Sequence, residues 1–600
     1  MNELGATGSG VLRELLTRVE AFVGLDRAAL DEFAIHGWRR DIGSGEPLYA
    51  TGEESSDVYL VLSGRLQVAD GERIIGYAGR GQPVGEMGAV TGERRSASVA
   101  AVRDTVVVGW SREQFLAFLH EQPDAMLALT RLMISRLREQ GRARMQSATE
   151  QSGTFAVIPA SPDVPITVLA EALVRRLGGW PAARLITAAH VDAALEDGAS
   201  QAALDDSEAA ARLKGWMGEL EARHRYVVYA SESDRDIWAL RCLHSADRVL
   251  MLAEAGRPPE AVPVVDELRR LGLLAAVELV LLRPEGDPSP HTLAWRDAVR
   301  ARTHYFVHPW DERELESLSR QVTGRGVGLV LGGGGARGFA HIGLVRALAE
   351  LQIPIDVVGG TSMGALLSAL IATGLDSVEI RRVVLDTFVR ANYLNDYTLP
   401  RYSFLRGRKF ADRLAEIFGD RRIEDLRHSF FCVSTNLTTG EPVVHDRGPL
   451  AIWVGTSMAI PGIGPPVAWQ GDLLCDGGVV DNLPTDVMQG LERGSIIASN
   501  VSGEGGVKAP GAGYGEPDPE ALMHWNADGA APRLMSILMR SATLSGAAAM
   551  ARSADYADVF LEMPCDGIGL FEWKRLDELI ERGYEYALEV LTPVRASLLN

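Results

Sequence analysis

The sequence predicts a multidomain chain: a small N-terminal β-barrel, a Rossmann-like α/β domain, and a second α/β domain whose parallel-rich sheet leads into a helical tail. Three observations point there. Short alternating runs punctuated by glycine, between helical stretches, mark residues 1–150. Strand-like and helix-like stretches then alternate over 154–322, the pattern of βαβ units on a parallel sheet. From residue 326 a strand runs into a glycine-rich turn and a helix, and the next strand does the same at a serine. At 600 residues and about 150 per domain, roughly four domains are expected.

Composition narrows the function classes. Apolar residues make up 46% and charged residues 23%, which is globular usage and excludes a mainly disordered chain. Sixty basic against eighty acidic side chains leave a net charge of −20, so the chain repels phosphate backbones and no nucleic acid is expected as a main partner. The four cysteines (Cys242, Cys432, Cys475, Cys565) show no C-x-x-C spacing. They argue against a disulfide framework and a cysteine-based zinc site, and no metal is expected. The N-terminus lacks a basic start followed by an apolar run, and no stretch has the 18 or so apolar residues of a membrane span. The expected location is cytoplasmic, at most peripheral on a membrane surface.

In the first region a short amphipathic helix, Val11 to Phe22, precedes strands such as Val58–Leu62 and Arg65–Val68, with glycines between them at turn-like intervals. From Arg112 to Gln146 the period becomes helical and ends in a basic face (Arg131, Arg136, Arg138, Arg142, Arg144), read as a solvated face. Ala148 to Gly153 is a small, polar linker. In the 154–322 domain the turn Pro159–Pro165 sits where a P-loop would be. It has no glycine pair and no Gly-Lys-Ser/Thr, so this domain is read as structural. The third domain spans 326–502, and 503–600 is a Gly/Pro loop followed by a helical extension of it.

The strand Val327–Leu331 enters Gly332-Gly333-Gly334-Gly335-Ala336-Arg337-Gly338, and a helix follows from Phe339 to Leu351. Three readings compete. A P-loop is excluded because Phe339 stands where the lysine must be. A dinucleotide fingerprint fits Gly333, Gly335 and Gly338 but needs an acid at the far end of the next strand, whereas Asp356 opens that strand. The third reading is an oxyanion hole, whose backbone N–H groups stabilise a developing negative charge. The next strand, Ile355–Val358, decides for it by ending in Gly360-Thr361-Ser362-Met363-Gly364 before the helical Ala365–Ala372. That is a nucleophile elbow, with glycines allowing the sharp turn that presents Ser362.

A serine nucleophile needs a base. Downstream, His428, His445 and His524 are candidates, yet none follows a clear buried strand. The strand-like Asp472–Cys475 ends in Asp476-Gly477-Gly478, placing a carboxylate in a glycine turn and making Asp476 the alternative base.

In this order the glycine loop, the serine elbow and the aspartate turn resemble the patatin-like phospholipases, and within them the neuropathy target esterase and its bacterial relatives. The family pattern is G-G-G-x-R/K-G, G-x-S-x-G and D-G-G/A. Gly455–Pro461, Val480–Pro484 and Asp566–Trp573 also look like that branch, so the resemblance spans most of 154–590. It implies a Ser362–Asp476 dyad without histidine, with Gly360 and Gly364 at the elbow and Gly477 and Gly478 at the aspartate turn. The same resemblance implies an oxyanion loop of Gly333, Gly334, Gly335, Arg337 and Gly338. No catalytic cofactor is implied, and the substrate is a phospholipid or lysophospholipid taken at a membrane surface. Arg337 is read as ordering the loop and His341 as packing its helix. The stretches Leu570–Trp573 and Leu534–Met539 are read as core, with an acyl groove or interfacial patch as the alternative.

In the first region Gly85-Glu86-Met87-Gly88-Ala89-Val90 followed by Arg95-Ser96-Ala97 resembles the phosphate cassette of cyclic-nucleotide-binding domains. The resemblance implies a ligand whose ribose 2′-hydroxyl meets Glu86 and whose cyclic phosphate meets Arg95 and Ser96, beside Gly85. Ser96-Ala97 favours cAMP over cGMP. Two function classes follow: an esterase regulated by a cyclic nucleotide, or a non-catalytic sensor whose patatin fold recruits membrane or partner. The retention of Ser362, Asp476 and the glycine loop favours the esterase.

Overall fold

A computed structural model describes residues 2–3, 16, 27–133, 153–502 and 552–599, apart from 72, 128, 132, 205–207, 261, 271–273, 284–290, 309–310 and 400. The expected helix Val11–Phe22 (Leu16 excepted), the basic residues beyond Arg131, the linker 148–152, the loop from Gly503, His524 and Leu534–Met539 lie outside the described residues. The chain divides into two compact units, Met1–Ser319 and Arg320–Asn600.

The first unit begins with two antiparallel sheets. One has the order Asn2–Glu3, Trp38–Ile42, Thr105–Ser111, Asp57–Ser63, Pro83–Val84; the other Pro47–Tyr49, Ser98–Ala101, Leu66–Asp70, Arg73–Ala78. Alternate residues face a shared core of Tyr59, Val61, Leu66, Val99 and Val107, the period-2 burial expected of a closed pair of sheets. Ser111 caps the helix Arg112–Glu121 by accepting the Gln114 N–H. That helix packs Phe115 and Phe118 against Phe33, which stacks on Trp110.

The same unit continues into a six-stranded, all-parallel sheet ordered Ala183–Ile186, Tyr226–Ala230, Gly153–Pro159, Arg248–Glu254, Ala276–Leu282, Thr303–Val307. The central strands are buried and mostly apolar, as the apolar runs in the sequence predict. In the turn Pro159–Pro165, Ser161 Oγ accepts the Glu254 N–H and ties the turn to a neighbouring strand. A buried cation joins barrel and sheet: Arg103 donates to Asp247 (2.9 Å) and to Glu221 (2.7 Å).

The second unit is built on one sheet. Its order is Val467–Trp469, Asp472–Asp476, Ser429–Asn436, Val357–Thr361, Gly326–Leu331, Gly494–Asn500, Val559–Glu562, with Pro442–His445 also paired to Ser429–Asn436. The five strands from Ser429–Asn436 to Val559–Glu562 are parallel, and the rest are antiparallel additions. The helix Ala340–Glu350 crosses the C-terminal helix Leu576–Leu599 at backbone contact. A Cβ on Gly343 would stand 2.1 Å from Ile580 O, and one on Gly583 2.3 Å from Ala340 O. The strand expected at Ile355–Val358 forms at Val357–Thr361 instead. Asp356 is held at its foot by Arg320 (2.7 and 3.0 Å) and the Val327 N–H, which leaves the residues through Thr361 to pair with Ser429–Asn436. Among the described residues no helix is long and apolar enough to cross a membrane.

Candidate active site

Ser362 lies between the strand Val357–Thr361 and the helix Met363–Ala372 with φ 55° and ψ −121°. A non-glycine residue at such φ costs on the order of 1–3 kcal/mol and persists only where its surroundings enforce it. Here they do. A Cβ on Gly364 would meet Leu331 O at 2.0 Å, so the elbow is packed on the end of the strand from which the glycine loop springs. From the other side the Ser362 N–H donates to Ser457 Oγ (2.9 Å), whose own proton goes to Val433 O (2.6 Å).

Asp476 ends the strand Asp472–Asp476, opposite Ser434. Its N–H donates to Ala459 O (2.9 Å), its Oδ1 accepts the Gly478 N–H (2.8 Å), and its Oδ2 accepts the Ser362 hydroxyl at 2.7 Å. Both side chains are buried, at 8% and 5% exposure. Burial pushes the Asp476 carboxyl up to about 6, while the hydrogen bonds from Ser362 and Gly478 pull the other way. At neutral pH it is therefore mostly ionised yet more basic than an ordinary carboxylate, suited to taking and returning a proton.

The glycine loop lies against the serine. A Cβ on Gly333 would be 2.9 Å from Ser362 Cβ. Of the three N–H groups expected to face an oxyanion, that of Gly333 is turned to Asn482 O (3.3 Å), whereas those of Gly334 and Gly335 have no acceptor among the described residues. Asn482 braces the loop further, its Nδ2 donating to Gly333 O (3.0 Å) and Ser502 Oγ (2.8 Å). Arg337 donates to Ile568 O and Ser502 O, fastening the loop to downstream chain. Gly338 packs on Met363 at the start of the elbow helix, and a Cβ there would meet Met363 Cγ at 2.4 Å.

The histidines near the sheet are otherwise engaged. His341 is fully buried, donating to Gly332 O (3.0 Å) and accepting from Ser499 Oγ (2.9 Å). His445 bonds Ser434 Oγ (2.7 Å) and stacks on Trp453 at 4.1 Å. Burial pushes both imidazoles down to about 4, so they are neutral. Among the described residues none hydrogen-bonds to Ser362 or Asp476. Ser457 and Asn482 stood in quoted stretches of sequence without an assigned part. Only the fold brings them, 95 and 149 residues away in sequence from their partners, to the elbow and the loop.

In the barrel, Gly85 (φ 83°) opens the short helix Glu86–Thr91, and Arg95 folds back on it. The Arg95 guanidinium donates to Gly85 O (3.1 Å) and Asp57 O (2.7 Å) and lies 4.1 Å over the Tyr49 ring. Its Nε–H is buried and has no hydrogen-bond partner among the described residues. Glu86 is 2% and Arg95 5% exposed, while Ser96 is exposed beside them.

Three family models match along the chain. The family of patatin-like phospholipases matches residues 329–488, the P-loop like domain of the Neuropathy Target Esterase family matches 151–322, and the cyclic nucleotide-binding domain matches 39–122. An NTE family protein of Mycobacterium tuberculosis is 30% identical over 95% of both chains. Patatin-like phospholipase domain-containing protein 7 of Rattus norvegicus is 29% identical over 96% of this chain and 46% of its own length. Lysophospholipase nte1 of Aspergillus fumigatus is 28% identical over 92% of this chain and 42% of its own. The chain thus spans about half the length of these animal and fungal relatives.

Proposed function

Because the chain belongs to the neuropathy target esterase family, we propose that it is a serine esterase that hydrolyses acyl esters of lysophospholipids or phospholipids through a Ser362–Asp476 dyad. The observation that carries this reading is the 2.7 Å hydrogen bond from the Ser362 hydroxyl to Asp476 on a strained strand–helix turn beside a glycine loop. Asp476 takes the Ser362 proton as Oγ attacks the acyl carbonyl, and the resulting oxyanion faces the Gly334 and Gly335 N–H groups. The carboxyl then protonates the departing glycerol oxygen, leaving an acyl ester on Ser362. In the second half Asp476 takes a proton from water, the hydroxide attacks the acyl ester, and the returning proton restores Ser362. Relatives named lysophospholipase and patatin-like phospholipase support the substrate class. The test is hydrolysis of lysophospholipids, phospholipids and short nitrophenyl esters by purified protein, with Ser362→Ala as control. Loss of at least about 10³-fold in the control is expected, and retained activity removes Ser362 from the role.

The barrel, in the same reading, binds a cyclic nucleotide, cAMP in preference, at Glu86, Arg95 and Ser96, and so regulates the esterase. A buried Arg95 with a spare donor beside the Gly85 turn supports it, since a guanidinium fork suits a phosphate oxygen pair. Calorimetry with cAMP decides: binding by wild type and none by Arg95→Ala is expected. Absence of heat with wild type would leave the barrel structural.

A further inference from the structure

We propose that the hairpin between Tyr397 and Leu405 is a lipid-docking element, seating the second unit on an anionic phospholipid bilayer beside the dyad. This rests on the esterase reading for its purpose but not for its test. Tyr397 and Leu405 form an antiparallel bridge, reinforced by Thr398 N–H to Phe404 O (2.9 Å) and Arg406 N–H to Asp396 O (2.9 Å). Along the returning arm the side chains alternate. Ser403 and Leu405 are buried at 3% and 6%, and Tyr402 and Phe404 face outward.

The outward set is unusual for a protein surface. Leu399 is 90% exposed, and Tyr397 and Tyr402 are each 72% exposed. An isolated exposed apolar residue means little, but three within six positions of one hairpin concentrate apolar surface that water solvates poorly. Leucine and tyrosine together suit a bilayer interface, where an apolar body enters the acyl boundary and a phenol stays at the headgroups.

Charge selects the partner. Among residues 391–409, Arg401, Arg406, Arg408 and Lys409 are exposed cations and Asp396 is the single acid, in a chain whose net charge is −20. Asp396 is turned inward, its Oδ2 accepting the Lys409 N–H (3.1 Å). No salt bridge engages Arg401, Arg406 or Arg408 among the described residues. A cationic rim around an apolar tip, on an otherwise acidic chain, complements phosphatidylserine-type headgroups and supplies the two signals that stable peripheral binding needs.

The hairpin is also fixed to the site. Phe404 and Leu405 donate their N–H groups to Gly462 O and Ile463 O (both 2.9 Å), and that segment continues from Ala459, whose carbonyl receives the Asp476 N–H. An anchored tip would thus hold the neighbourhood of Asp476 against the source of substrate.

The experiment is co-sedimentation of the full chain with phosphatidylcholine vesicles, with and without phosphatidylserine. The variants are Leu399→Ser/Tyr402→Ser and Arg401→Gln/Arg406→Gln. Wild type is expected to bind the phosphatidylserine vesicles, less so as salt is raised, and each double variant to bind at least about ten-fold more weakly. All four proteins of the set (wild type, both doubles and their combination) are expected to cleave a soluble nitrophenyl ester at similar rates, which shows that the changes leave fold and dyad intact. Equal vesicle binding by wild type and both doubles, or no binding by wild type, overturns the docking role. Loss of ester cleavage by wild type would instead overturn the esterase reading while vesicle binding stood.

Discussion

The Ser362 hydroxyl donates to Asp476 Oδ2 across 2.7 Å, and the other oxygen of that carboxylate is held by the Gly478 N–H. The carboxylate is thereby fixed with one oxygen turned to the serine. Since burial lifts this carboxyl to about 6, the base of the proposed dyad would be lost to protonation as pH falls through that value. The ratio kcat/KM for a soluble ester should therefore fall about ten-fold per pH unit below an apparent pKa near about 6 and be flat above it. A rate profile flat down to pH 4.5 or so, with the fold intact by circular dichroism, would contradict the assignment.

The same carboxyl has a cost in stability. Its folded value lies above the roughly 3.9 of an unfolded chain, so the native state binds the extra proton between those values and stability falls as pH rises from about 4 to about 6. Asp476→Asn removes the buried charge. It should abolish esterase activity yet raise stability at pH 7 by on the order of 2–3 kcal/mol at most, seen as a higher melting temperature, with the gain vanishing near pH 4. Calorimetric scans at both pH values check this. A variant less stable than wild type at pH 7 would mean that the carboxylate's hydrogen bonds outweigh its desolvation.

Ser457 accepts the Ser362 N–H and donates its own proton to Val433 O, so in the proposed dyad it is a positioning residue for Ser362. Ser457→Ala leaves a buried N–H unpaired, a penalty of about 1–3 kcal/mol that should appear as a ten- to hundred-fold fall in kcat with KM little changed. Ser457→Thr should restore most of the rate. Equal loss in both variants would point to a packing defect.

Arg103 lies between Asp247 and Glu221, all three nearly buried, and burial is outweighed at Asp247 by the guanidinium, which holds that carboxyl below its usual range. Arg103→Met strands two carboxylates and should destabilise the first unit by about 3–5 kcal/mol at pH 7. Because the Asp247 contribution is present above its unfolded value near about 4 and lost as pH falls, the deficit should shrink at acid pH. Thermal unfolding at pH 7 and pH 4.5 or so reads it, and a deficit independent of pH would mean lost packing, not lost pairing.

Much of this was legible in the sequence because hydrophobic period and glycine punctuation are local. The strands Gly153–Pro159 and Ala276–Leu282 stand where apolar runs placed them, and the Gly360–Gly364 elbow where the turn glycines did. What was not legible depends on long-range closure. Nothing local says that the Gly333 N–H would be taken by Asn482 O, that Asp356 would be occupied by Arg320, or that Arg103 would reach across 144 positions to Asp247. The exposure of Leu399 and Tyr402 was equally hidden, since an apolar residue in a polar stretch reads as core until the hairpin is closed.

The measurement that tests the central claim most directly is mass mapping of protein acid-quenched during turnover of a slow ester. The acyl mass is expected on the peptide carrying Ser362 in wild type and is expected to be absent in Ser362→Ala and Asp476→Asn. An acyl group on any other residue, or steady hydrolysis with no acyl group on Ser362 and full activity in Asp476→Asn, would contradict it.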